Sequence, residues 1–126
     1  MIWKVDHSLT HLDKGPTDKG QRPRKKPLEV QYLPLAEADL LEIIGYIRKD
    51  NPRAAQDTFA RFEEALGKLG SFPELGPVVR DDRLSSKGYR VLVIDNYLAF
   101  YVVDERLGVV EVRRVLHGRR RYSFLL

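Results

Sequence analysis

Tyr89-Arg90-Val91-Leu92-Val93-Ile94-Asp95-Asn96-Tyr97-Leu98-Ala99-Phe100-Tyr101-Val102-Val103 is the stretch that decides the fold. Two runs rich in β-branched and aromatic residues flank an Asp-Asn pair, the composition of two strands joined by a tight turn. A third run, from Val109 to His117, follows a turn around Arg106-Leu107-Gly108. Connections this short make neighbouring strands antiparallel, so the C-terminal half reads as a three-stranded meander. Gly88, just before the first run, reads as a turn residue, because no glycine pattern of a phosphate loop occurs in the chain.

Upstream, Ser71-Phe72-Pro73-Glu74-Leu75-Gly76-Pro77 is a connector dense in Pro and Gly. Before it, the spacing predicts two helices. Leu40, Ile43, Ile44 and Ile47 share one face of a helix over 35–49, with Glu37, Asp39, Glu42 and Arg48 on the other. Ala55, Phe59, Phe62, Leu66 and Leu69 do the same for a helix opening at Pro52, a residue suited to a first turn. Asp39 adds favourable charge near the start of its helix. Leu28-Glu29-Val30-Gln31-Tyr32 alternates as a half-buried strand does, and Pro34 stops it. The fold class is therefore α+β in the order β-α-α-β-β-β. An antiparallel helical hairpin packs on one face of a small twisted antiparallel sheet, and the other face is left partly open for a ligand or partner.

With 126 residues the chain has room for one core. Cysteine is absent, which excludes disulfides and thiolate metal sites and fits a reducing cytoplasm. No apolar run approaches the roughly 20 residues of a membrane span, and the start lacks a signal-peptide core, so a cytoplasmic protein without membrane contact is expected. The net charge of +4 is unevenly placed. Residues 1–27 carry seven Lys/Arg against three Asp/Glu and read as a basic, flexible extension; residues 28–126, the domain, balance to zero. Arg22-Pro23-Arg24-Lys25-Lys26-Pro27 reads as a solubilising linker able to touch nucleic acid. His7 and His11 are four apart but have no third ligand nearby, so no metal or cofactor is expected.

Within the domain the signs separate again, and from Arg106 to the end six arginines face a single acid, Glu111. Arg113, Arg114, Arg119, Arg120 and Arg121 gather there around His117 and Tyr122. Such a run is either solvated surface or a site that holds phosphates and moves protons. For ribonuclease chemistry the candidates are His117 as base or acid, Tyr122 to stack or donate a proton, and Arg90, Arg113 and Arg119 to hold phosphate. In a regular strand Glu111, Arg113 and His117 would share one face, and Arg114 would point to the other unless a bulge intervenes. Tyr89, Tyr97 and Tyr101 read as core or cross-strand packing before base stacking.

The element order, with Ala38-Asp39-Leu40, Tyr46-Ile47, Pro52-Arg53-Ala54-Ala55, the Phe72-Pro73-Glu74-Leu75-Gly76 connector, Gly88-Tyr89-Arg90-Val91-Leu92, Tyr97-Leu98-Ala99-Phe100-Tyr101 and Arg114-Val115-Leu116-His117-Gly118, resembles the ParE/RelE superfamily of toxins. The resemblance covers about residues 29–122. It implies the toxin of a type II toxin-antitoxin (plasmid stabilisation) system and a cognate antitoxin whose disordered, acidic segment folds on binding. Operator DNA is then met only through the antitoxin.

Two targets are known in that superfamily. RelE- and YoeB-like members are metal-independent enzymes that cut mRNA on the ribosome; ParE-like members poison DNA gyrase. The middle strand of the former usually brings an arginine where this chain has Leu98, and an aliphatic side chain cannot stabilise a phosphorane. The resemblance therefore leans to ParE, with Arg114, Arg119, Arg120 and Arg121 as target- or phosphate-binding residues. The alternatives are an mRNA endonuclease using His117, Tyr122, Arg90 and Arg113, and a non-toxic relative that retains antitoxin binding.

Overall fold

The computed structural model describes residues 22–118 and residue 126. The elements are β1 (Glu29–Tyr32), α1 (Pro34–Asp50), α2 (Pro52–Gly67) with a 3-10 turn at Lys68–Gly70, α3 (Asp82–Ser85), β2 (Arg90–Ile94), β3 (Tyr97–Asp104) and β4 (Val109–His117).

Both long helices begin with proline, whose fixed φ suits a first turn and whose missing N–H is no loss there. One residue serves both. The Asn51 backbone N–H donates to the Ile47 carbonyl at 2.9 Å and closes α1. Its side-chain oxygen accepts from the Ala54 N–H at 3.0 Å and opens α2. With a single residue between them the helices run back antiparallel, and the buried faces Ala36, Leu40, Ile44 and Ala55, Phe62, Leu66 meet over the sheet.

The sheet order is β1-β4-β3-β2. The pairs β2–β3 and β3–β4 are antiparallel, as their short turns require. β1, however, pairs with β4 in parallel, Val30 opposite Val110 and Tyr32 opposite Val112, so the sheet is mixed and not wholly antiparallel. The reason lies in the connection: almost the whole domain separates these strands, and only a short turn dictates an antiparallel partner.

The helices cover one face, where Val30, Ala99, Tyr101, Val110, Val112 and Val115 complete the main core. The opposite face is less open than expected. Residues 78–88 fold across it, and Leu84 of α3, Val79 and Tyr89 form a second cluster with Phe100 and Leu116, against which Leu126 also packs. The Asp81 carboxylate caps α3, accepting from the Arg83 and Leu84 N–H groups at 2.9 and 3.2 Å. Gly88 follows with φ +83°, the left-handed turn that glycine adopts at little cost. No helix among the described residues is long and apolar enough to cross a membrane.

Candidate functional site

Of the candidate residues, Arg113, Arg114 and His117 lie on β4, whose shape is set by a bulge. On β3, Tyr101 faces Val112 but Phe100 faces Arg114, so Arg113 is the extra residue. A bulge resets the alternation of sides, and the expected row of Glu111, Arg113 and His117 is broken by it. Glu111 lies opposite Val102, which packs on the second cluster, whereas His117 lies opposite Tyr97, which packs on the main core.

β1 ends at Tyr32, and the chain turns into α1 after the Leu33 N–H donates to the Val112 carbonyl. Beyond that point β4 has no strand on this side among the described residues. Asp39 takes the vacant place. One carboxylate oxygen accepts from the Val115 backbone N–H at 2.9 Å and from Arg114 Nε at 2.8 Å; the other accepts from Arg114 Nη2 at 2.9 Å. Both side chains are about five-sixths buried, at 16% and 15% exposure. The hydrogen bond to Asp39, with its negative charge, outweighs burial and holds the Arg114 guanidinium above its usual pKa. Asp39 is thus an edge-strand cap, a role beyond a charge near a helix start.

Arg113 and Arg90 are also engaged within the fold. Burial tends to lower the Arg113 pKa, but hydrogen bonds to Tyr89 and Glu111 raise it overall. Its guanidinium donates to Glu111 at 2.9 Å and to the Tyr89 hydroxyl at 3.4 Å, and lies 5.5 Å from the centre of the Tyr89 ring. Arg90 donates to the Gly76 carbonyl at 2.8 Å. That same glycine donates its N–H to the Tyr101 hydroxyl at 2.9 Å, which in turn donates to the Pro73 carbonyl at 2.7 Å. Burial pushes the Tyr101 hydroxyl up to about 12, and burial with the nearby Glu63 charge raises that of Tyr32. Tyr89 and Tyr101 are buried and serve packing, as their place in strands suggested.

His117 is exposed, its ring edge-on to Tyr97 with centroids 5.7 Å apart. It borders a shallow cavity of about 460 Å³ with Val93, Asp95, Asn96, Leu98 and Gly118. Asp95 holds φ +53°, a left-handed conformation uncommon outside glycine, and is tied to α2 by Arg61 at 2.7 Å. The Gly118 N–H donates to the Asn96 carbonyl at 2.8 Å, fixing where the chain leaves the sheet. Neither Asp95 nor Asn96 carried a signal beyond its place in a turn. Arg119, Arg120, Arg121 and Tyr122 lie outside the described residues, as do His7 and His11. Among the described residues no three His, Cys, Asp or Glu side chains gather as metal ligands.

Residues 30–122 match the family described as the ParE toxin of type II toxin-antitoxin system, parDE. The chain belongs to this family. Within it, the match takes in every strand from Val30 onward, the Asp39 cap and the basic end, and leaves the N-terminal extension outside. The ParE fold seen here is similar to a chain of the chromosomal ParDE TA system from P. aeruginosa, at 17% identity and TM-score 0.60, over 71% of this chain and 95% of that one. It is similar also to a chain of the toxin-antitoxin complex RelBE2 from Mycobacterium tuberculosis, at 24% identity and TM-score 0.52, over 75% and 95%. At such identities these likenesses speak to fold alone. No curated protein matches the chain.

Proposed function

We propose that this ParE-family toxin arrests growth by poisoning DNA gyrase and is held inactive by a cognate antitoxin. The observation that carries the reading is the use of the arginines. Cutting RNA through its 2′-hydroxyl requires a base, an acid and a cation at one phosphate. Arg90, Arg113 and Arg114 are each bonded to the protein itself, and the described lining of the His117 cavity holds Leu98 and Asp95 but no cation. A protein target needs no such assembly, only a surface it recognises. An acidic antitoxin segment, ordered on binding, suits the basic run after Gly118.

The test is to induce the toxin and follow replication, translation and plasmid topology together. Loss of supercoiling with intact mRNA is the expected result. Cleavage of mRNA within ribosome-bound codons would overturn the proposal in favour of the endonuclease reading with His117 and Tyr122.

Arg119→Ala combined with Arg121→Ala is expected to raise the toxin level needed for arrest about tenfold, because losing even ~1.4 kcal/mol of charge-assisted contact has that effect. The run reads from the sequence as solvated charge, so folding stability is expected to change by less than about 1 kcal/mol. Arrest at the wild-type dose would show that the run takes no part in target recognition.

A further inference from the structure

The segment before β1 lies outside the matched family domain, yet its last residues are fastened to the body. The Arg24 N–H donates to the Ser71 carbonyl at 3.0 Å, and the Leu28 N–H to that of Gly70 at 2.9 Å. The Arg24 guanidinium makes a two-pronged pair with Glu105, at 3.1 and 3.0 Å, and its Nε donates to the Lys26 carbonyl at 3.3 Å. Arg24 is therefore an anchor, its charge already answered by Glu105.

Its neighbours are placed differently. Arg22, Lys25 and Lys26 are exposed and have no ion-pair partner among the described residues, and Arg106, next to Glu105, is exposed as well. Two acids lie near the arm: Glu105, already paired with Arg24, and Glu74, in a groove it shares with Arg22, Arg24, Ser71, Phe72 and Pro73.

We propose that Arg22, Lys25 and Lys26 form a clamp for the phosphate backbone of duplex DNA, independent of base sequence. Two features favour DNA phosphates, one against a folded protein and one against a lipid surface. The arm from Arg22 to Pro27 carries no aromatic or aliphatic anchor, which a protein interface needs at its centre and phosphate contacts do not. Its apolar side chains are Pro23 and Pro27 alone, too small to anchor the arm in a lipid surface. The clamp is separate from the candidate target site: it sits by the β3–β4 turn, while His117 and Gly118 lie at the other end of β4, about 27 Å away at the usual rise per residue.

The experiment uses the full chain and a fluorescein-labelled 20-bp duplex of arbitrary sequence, followed by anisotropy between 50 and 200 mM salt. A clamp on three phosphates contributes about −2.7 to the slope of log K against log salt. The triple variant Arg22→Ala, Lys25→Ala, Lys26→Ala should have a slope shallower by about that amount and a Kd at least tenfold weaker at 50 mM salt, with unchanged circular dichroism. An unchanged slope in the variant would overturn the clamp. So would tighter binding to single-stranded RNA, to a polyglutamate peptide or to phosphatidylserine vesicles than to the duplex at the same salt. The readout contains no gyrase and no ribosome, so its failure leaves the toxin reading standing.

Discussion

Asp39→Ala should lower the unfolding free energy by about 3 kcal/mol, the cost of stripping one partner from a largely buried ion pair. The variant leaves the Arg114 guanidinium and the Val115 N–H without their shared acceptor, on the edge of β4 past the end of its pairing with β1. For a domain of this size the loss corresponds to roughly 10–20 °C in Tm. Asp39→Asn supplies the internal control: its side-chain oxygen still accepts from Val115, so it should lose about half as much. Arg114→Ala should also cost less than Asp39→Ala, because the carboxylate keeps its backbone bond. A Tm for Asp39→Ala within 2 °C of wild type would mean that the edge of β4 is satisfied by water alone.

Gly76→Ala is expected to be at least as damaging, at about 4 kcal/mol. A methyl group there would press on the Val91 carbonyl, with its carbon at 2.8 Å, and on the Tyr101 hydroxyl at 2.9 Å. Neither neighbour can yield cheaply. Moving Val91 disturbs β2, and moving Tyr101 breaks the bonds that tie the connector to the sheet through Gly76 and Pro73. Overpacking of 1–3 kcal/mol therefore adds to the cost of stranding a buried N–H, another 1–3. Gly45→Ala makes the contrast, since nothing lies within 4 Å of its added methyl. In mid-helix it should stabilise by up to about 1 kcal/mol. Thermal melts of the two variants should move in opposite directions, and a shared direction would refute the steric account.

The helices and three C-terminal strands were legible because their signals are periodic and local. Leu40 and Ile44 repeat at one turn of a helix, and the Asp95-Asn96 turn leaves the flanking strands little choice. What escaped depends on partners distant in the chain. Nothing within Glu29–Tyr32 encodes a parallel alignment with Val109–Val112. The bulge at Arg113 adds one residue to a run that still reads as an ordinary strand. Asp39 displays its charge in the sequence but not the Val115 N–H that it meets from 76 residues away. α3 has no periodic signal because it spans only four residues, although Asp81 before Leu84 is a cap signal.

The candidate site divides in the same way. His117 ends its strand, as the apolar run from Val109 implies. The role in holding phosphate expected of Arg90 and Arg113 rested on their charge, and charge alone does not reveal that Gly76 and Glu111 already occupy them.

The pairing of β1 with β4 also bears on when the toxin comes into being. Glu29 must wait for Val109, eighty residues later, before its strand has a neighbour. During synthesis the helical hairpin can form early from local contacts, but the sheet cannot be completed until the last strand has left the ribosome. The final strand is also the one that carries His117 and leads into the basic run. A chain whose β4 has not yet emerged therefore lacks both its completed sheet and the end with which it is proposed to act. The topology ties the proposed activity to the emergence of β4.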